Sequence, residues 1–381
     1  MTAGPEPATF RRDLHDWLEA ERGTLERFRA PAAALDDQFE SLRDFQRLLY
    51  DAGWIRFGWP HELGGLGGSP LLRGVLSEAL AASGYPPPFS FGMMEVLGPA
   101  VAAHARPELA SHVLPRLLAG EECWCQGFSE PDAGSDLASL RLRAERDGDT
   151  WRLTGQKVWT SWAKYADRCL VLARTGTIDD GHRGITAFFT DMDTAGIEVR
   201  PLRAMNGDDE FAEIFFEDVK VDDANRVGEI GAGWSIAMQV LVCERGAVAW
   251  QRQAWMHQRL EDLANALAPD HTADDERLGT LVADLHALRV RSRSTLVALA
   301  AGNQPGPAAS VDKLLMSSAE QRLFDTALDL LPDAVLTGDG PAAETWRNDY
   351  LYSRAASIYG GTAEIQRNIV ADRLLALPRS R

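Results

Sequence analysis

Arg168-Cys-Leu-Val-Leu-Ala173 and Gly184-Ile-Thr-Ala-Phe-Phe-Thr190 are short apolar runs bounded by turn residues, and they mark the middle of this chain as β structure. Trp151-Arg-Leu-Thr154 and Glu213-Ile-Phe-Phe-Glu217 are of the same kind, so the pattern holds from about 122 to 228. On the N-terminal side the period changes. Phe10, Leu14, Trp17 and Leu18 recur at spacings of three and four, as do Phe39, Leu42, Phe45 and Leu48, which predicts helices from 8 to about 118. Trp59-Pro-His-Glu-Leu-Gly-Gly-Leu-Gly-Gly68 interrupts them, because its glycines favour a loop over a helix or strand. Beyond Gly231-Ala-Gly-Trp234 the helical period returns, with breaks around Pro269 to Asp275, Gly302 to Pro307 and Leu336 to Ala342. Helices, then strands, then helices define an α+β chain, divided here at 1–121, 122–228 and 229–381. No internal repeat is present.

Bulk properties narrow the function. A chain of 381 residues with 45% hydrophobic content can build a substantial core. Its formal charge of −17 opposes attraction to nucleic acid or to an anionic membrane surface. Cys123, Cys125, Cys169 and Cys243 have neither Cys-x-x-Cys spacing nor a nearby His cluster, so reduced thiols are expected and no metal site. Met1-Thr-Ala-Gly-Pro-Glu-Pro lacks the regions of a signal peptide, and no run reaches the roughly 18 apolar residues of a membrane helix. A cytoplasmic protein without a membrane partner is the expectation. No Walker-type loop, strand-linked Gly-x-Gly-x-x-Gly or His-Glu-x-x-His occurs, which argues against nicotinamide and zinc-hydrolase chemistry.

Three stretches carry chemical interest. Glu244 lies in an apolar run, with Ile236, Met238, Val240, Leu241, Val242 and Cys243 before it and Gly246, Ala247, Val248 and Ala249 after. A carboxylate there is costly unless paired or functional. Arg245 is the available ion-pair partner, but adjacent residues on a helix do not face each other. Gly360-Gly361-Thr362 presents backbone amides free of side-chain obstruction, suited to an oxygen that gains charge, although the same residues also suit a helix start. Gln126-Gly-Phe-Ser-Glu-Pro-Asp-Ala-Gly-Ser-Asp136 reads as a turn whose amides face an electron-rich ligand, or as an ordinary strand-ending loop.

Together these stretches resemble the flavin-dependent acyl-CoA dehydrogenases. Gln126–Asp136 is similar to that family's Thr/Ser-Glu-Pro-x-Ala-Gly-Ser-Asp, Gly155-Gln-Lys-Val-Trp-Thr-Ser161 to its Gly-x-Lys-x-Trp-Ile-Thr, and Tyr359-Gly-Gly-Thr-Ala-Glu-Ile-Gln-Arg367 to its C-terminal motif. Trp59–Gly68 resembles its Trp-Pro-x-x-x-Gly-Gly-x-Gly loop, read here as structural. The resemblance implies FAD as cofactor and a fold of N-terminal helices, a small β domain and a C-terminal four-helix bundle. It implies an acyl-CoA or other acyl thioester as substrate and an electron-transfer flavoprotein as acceptor. By position, Gln126, Phe128, Ser129, Trp159, Thr160 and Ser161 would contact the flavin. Gly134 would also contact the cofactor, Ser135 would lie near its phosphate and the thioester chain, and Thr362 and Glu364 would take phosphate and adenine-side positions. In one group of the family the catalytic carboxylate directly precedes Gly-Thr; in the other it is the Glu of an upstream Glu-Arg pair. Here those positions hold Gly360 and Glu244, so the resemblance makes Glu244 the base, Gly360 an oxyanion donor, and Arg245 and Gly361 substrate contacts.

Two family motifs are missing. His257-Gln-Arg-Leu-Glu-Asp262 stands in place of Glu-Arg-x-x-Phe-Gly, and Leu330-Leu-Pro-Asp-Ala-Val-Leu-Thr-Gly338 in place of Gln-x-x-Gly-Gly. Both serve a neighbouring subunit's flavin in the family. Their loss resembles the heteromeric actinobacterial members and implies either a homologous partner subunit or a homo-oligomer with a rearranged FAD contact. A catalytically silent, flavin-free subunit and a flavin monooxygenase or nitroalkane-type oxidase on the same fold are the rival readings.

Overall fold

The computed structural model describes residues 4–29, 34–89, 91–267, 275–303 and 305–378. Among the described residues, seven α-helices come first: α1 (Pro7–Ala20), α2 (Arg22–Leu25), α3 (Leu35–Asp51), α4 (Leu71–Ala82), α5 (Phe91–Val96), α6 (Gly98–His104) and α7 (Pro107–Leu118). Eight strands follow: β1 (Trp124–Gly127), β2 (Arg143–Asp147), β3 (Thr150–Ser161), β4 (Arg168–Arg174), β5 (Ile185–Asp191), β6 (Ile197–Leu202), β7 (Phe211–Asp222) and β8 (Arg226–Val227). The chain then returns to helices: α8 (Gly233–Cys243), α9 (Ala249–Ala266), α10 (Asp275–Ala300), α11 (Ala309–Leu330), α12 (Pro341–Ser353) and α13 (Ala363–Ile369). The α+β reading therefore holds.

Two compact units are formed. One takes the described residues within 34–67 and 88–243 and holds the sheet together with α3 and α5–α8. Its strands run in the order β6-β7-β3-β2-β4-β5-β8, and β1 pairs in parallel with β4. Strands β4 and β5 are buried along nearly their whole length, which is why their sequences are continuous apolar runs rather than alternating ones. Cys125, Leu153, Val171, Phe188, Ile214 and Val219, from five of these strands, pack into one core.

The other unit takes the described residues within 2–33, 68–87 and 244–381. Phe10, Leu14 and Leu18 form the buried stripe of α1, which packs on α4. Helices α9, α10 and α11 enclose Met256, Leu260, Leu285, Leu288, Met316, Leu323 and Phe324. The expected break around Pro269 lies outside the described residues except for Asp275, where α10 begins. The last break is shorter than expected. Asp333–Thr337 coil as a π-helical turn, and α12 already starts at Pro341, because proline is tolerated at a first helical position where its missing N–H is not needed. Among the described residues no helix is long and apolar enough to cross a membrane. The four cysteines are buried and form no disulfide among the described residues.

Candidate active site

The expected site residues fall into two groups, one in each unit. In the sheet unit, β3 departs from regular pairing with β7 between Lys157 and Thr160. Trp159 adopts φ 58° at this irregularity, an uncommon conformation for a bulky residue, and the residue is 65% exposed. Thr160 points the other way, its Oγ1 buried and without a partner. Val158 N donates to Ser129 O at 2.9 Å, which brings the Phe128–Ser129 segment alongside Trp159.

That segment is anchored by a buried ion pair. Lys157, with no exposed surface, donates to Glu130 Oε1 at 2.8 Å and to Phe128 O at 3.1 Å. Glu130 also accepts from Arg141 N at 2.6 Å and Leu142 N at 2.8 Å, so its carboxylate is saturated with donors. Burial pulls the Lys157 ammonium below its ordinary pKa, and Glu130 opposes that shift. Gln126 lies in β1, and Ser161 closes β3. Gly134 and Ser135 are exposed on the following loop, beyond the turn in which Glu130 and Ala133 bond each other. An exposed flat ring, an unpartnered buried hydroxyl and the neighbouring hydroxyl of Ser129 fit a large planar heteroaromatic group bearing polar edges.

In the helical unit the chain coils as a π-helical turn over Glu244–Val248 before α9 begins. Such turns change the helix register locally and are frequent at functional sites. Gly246 lets α10 approach, since a Cβ there would lie 2.9 Å from Thr295 Cγ2 and 3.0 Å from Leu299 Cδ1. Opposite stands the turn Gly360-Gly361, with φ 62° and 88°. A Cβ placed on Gly360 would lie 2.8 Å from Glu244 Oε1 and 3.4 Å from Lys313 Cε. One placed on Gly361 would lie 2.5 Å from Gln366 Nε2 and 3.6 Å from Arg245 Nη2. The left-handed conformation favours glycine at both positions, and a side chain at either would have to displace the end of Glu244 or of Gln366. Gln366, fully buried, holds the turn by donating to Gly360 O at 2.9 Å and Gly361 O at 3.2 Å.

Glu244 is half-buried, and no hydrogen bond to its carboxylate is present among the described residues. Burial raises its pKa above the ordinary glutamate value, while the cations Lys313 and Arg245 pull it back. Arg245 is 8% exposed, and its Nε has no partner. Glu244 and Arg245 make no direct ion pair, as expected for neighbours in a helical segment. Thr362 caps α13 by accepting from Ile365 N at 3.3 Å, so the helix-start reading of Gly-Gly-Thr is realised alongside the open glycine turn. Glu364 is exposed and 3.5 Å from Arg367.

The structure thus brings Glu244, Arg245, Gly360 and Gly361 together in one unit and Phe128, Ser129, Trp159 and Thr160 together in the other. Reasoning from sequence missed Lys313, Gln366 and the Lys157–Glu130 pair. Lys157, Glu130 and Gln366 stand inside quoted motifs, whereas Lys313 lies in a helix of mixed polar and apolar residues that gave no signal for it.

A helical, β, helical chain with a half-buried glutamate, free of hydrogen bonds among the described residues, facing a double-glycine turn, and a flat aromatic ledge elsewhere, is the framework of a flavin-dependent dehydrogenase. The family profiles for the acyl-CoA dehydrogenase N-terminal, middle and C-terminal domains match residues 12–121, 125–219 and 231–375. The chain belongs to the acyl-CoA dehydrogenase family, whose cofactor is FAD. It is 37% identical over 378 residues to the acyl-CoA dehydrogenase IpdE1 of Mycobacterium tuberculosis, covering 97% of each chain. Among solved structures it is similar to the Tcur3481-Tcur3483 steroid ACAD, at 27% identity and a TM-score of 0.85 with 99% of each chain covered. The ChsE4-ChsE5 complex from Mycobacterium tuberculosis matches at 28% identity and a TM-score of 0.80, with 100% of each chain covered.

Proposed function

We propose that this chain dehydrogenates the acyl group of a CoA thioester between its α and β carbons, with Glu244 as the base. The approach of Glu244 Oε1 to within 2.8 Å of the point where a side chain at 360 would begin supports this reading most directly. The family's alternative carboxylate would spring from that very point. A glutamate arriving from the helix side therefore delivers its oxygen to the same place, and glycine at 360 is what makes room for it. Burial moves the carboxyl toward neutrality, which strengthens it as a base near physiological pH.

In this reading the amides of Gly360 and Gly361 donate to the thioester carbonyl as its oxygen gains charge, and Gln366 keeps that turn in place. Arg245 and Gly361 lie toward the substrate. When bound, FAD supplies the acceptor for the β hydride. Gln126, Phe128, Ser129, Trp159, Thr160 and Ser161 would contact its flavin, Gly134 would also contact the cofactor, Ser135 would meet its phosphate and the thioester chain, and Thr362 and Glu364 would take phosphate and adenine-side positions. An electron-transfer flavoprotein takes the electrons onward.

The proposed substrate is a steroid-derived acyl-CoA, and the proposed assembly is a heteromer with a homologous subunit. Support comes from the steroid and two-component structures to which the chain is similar. It comes also from the two replaced motifs. Arg259, in the first, is turned inward onto Asp262 at 2.8 Å, Asp349 at 2.9 Å and the Trp346 ring at 3.7 Å, and so is committed within its own unit.

Glu244→Gln tests the base. The variant should retain FAD and lose flavin bleaching by an acyl-CoA by about 10²–10⁴-fold. Bleaching at the normal rate would remove Glu244 from the mechanism, and rapid reaction of the reduced flavin with oxygen would favour an oxidase or monooxygenase. Counting FAD per chain, alone and after co-expression with a homologous subunit, tests the assembly. One tightly bound FAD per chain with normal turnover in the protein alone overturns the heteromer.

A further inference from the structure

Lys313 belongs to none of the motifs discussed above, yet with Arg245 it is one of the two cations set beside Glu244 in this unit. It projects from α11 and is 3% exposed. Its Nζ donates to Ala356 O at 2.5 Å and lies 3.8 Å from the centroid of the Tyr359 ring. Its Cε comes within 3.4 Å of the same virtual Cβ of Gly360 that Glu244 Oε1 approaches at 2.8 Å. A carbonyl and an aromatic face thus hold the ammonium at the glycine turn, while the carboxylate remains outside direct ion-pair contact.

We propose that Lys313 is a positioning residue that keeps Glu244 ionised and aimed at the glycine turn without bonding to it. The inference rests on the reading of Glu244 as the base. An ammonium in direct contact would hold the carboxylate's lone pairs and weaken it as a base. With none, a carboxylate in this setting would take up a proton and be spent before substrate arrives. A cation anchored elsewhere, close enough to act through space, avoids both outcomes.

The charged groups facing Glu244 are Lys313 from α11 and Arg245 from its own turn. Those facing Lys313 are Glu244, Glu320, Arg252 and Arg245. Glu320 is engaged by Arg252 through its Nε at 3.1 Å and through a second bond from Nη2. Burial lowers the Lys313 pKa to about 8, with Glu244 and Glu320 opposing, so the side chain stays charged at neutral pH.

The test is Lys313→Gln, which removes the charge and keeps a donor for Ala356. In the FAD-loaded protein, the acid limb of the pH profile for flavin reduction should move about one to two units toward alkaline pH. Site-resolved carbodiimide labelling of Glu244, read by peptide mass spectrometry on substrate-free protein, should move its midpoint in the same direction. Lys313→Arg should leave both near wild type. A folded Lys313→Gln variant with both midpoints unmoved overturns the proposal and leaves Lys313 a packing residue. If Lys313→Gln does not fold, the Lys313→Arg labelling midpoint decides, because loss of the cation's effect despite retained charge also overturns it. Labelling needs no turnover, so it separates this outcome from failure of the Glu244 reading, which Glu244→Gln tests.

Discussion

Glu130 and Glu244 are both glutamates in apolar surroundings, and the structure treats them oppositely. Glu130 accepts from Lys157 and from the amides of Arg141 and Leu142, and so is filled with donors. Glu244 has cations nearby but no hydrogen bond among the described residues. The first arrangement fixes a loop; the second leaves lone pairs free for a proton from elsewhere. Hydrogen-bond saturation, more than burial, separates a structural carboxylate from a reactive one.

The comparison breaks if the two residues respond alike to the same change. Glu130→Gln should cost about 3 kcal/mol of stability, because it leaves the Lys157 ammonium buried and unpaired. Glu244→Gln should leave the denaturation midpoint unchanged or slightly raised. Urea unfolding of both variants checks the contrast, and equal losses would erase it.

Gly360→Ala probes the space itself. The added Cβ meets Glu244 Oε1 at 2.8 Å and must adopt φ 62°, which costs about 1–2 kcal/mol for a residue with a side chain. Flavin reduction should fall at least about tenfold as the carboxylate is displaced, a loss of roughly 1.4 kcal/mol or more in the barrier. A rate within a factor of two of wild type, measured by stopped-flow absorbance, would mean that the close approach is irrelevant to the chemistry.

Thr160→Val carries the smallest expected effect. Replacing a buried, unpartnered hydroxyl by a methyl should leave the flavin-free protein equally stable or slightly more so. FAD affinity should fall by about 1 kcal/mol, roughly fivefold, if the hydroxyl meets the cofactor. Unchanged affinity by equilibrium titration would take Thr160 off the flavin ledge.

Much of the fold was legible before the structure. The buried runs of β4 and β5 and the stripe Phe10, Leu14, Leu18 report their own environments, because period and burial are linked by backbone geometry. Glu244 was legible as an anomaly, a charge in a run that should carry none. The early start of α12 at Pro341 was not, since a proline reads equally as a break and as a first helical residue. Neither was the π-helical turn at Glu244, whose residues differ in no obvious way from those of an α-helix.

Sequence by itself determined the order of helices and strands, the family, and the residues worth watching, because these depend on local pattern and on motifs contiguous in the chain. Only the tertiary structure decided that Glu244 and Gly360, 116 positions apart in the numbering, compete for one point in space. It alone brought in Lys313 from a third element, and it alone showed which glutamate is saturated and which is free. Those facts depend on distances between side chains of separate elements, and no pattern along a single strand or helix encodes them.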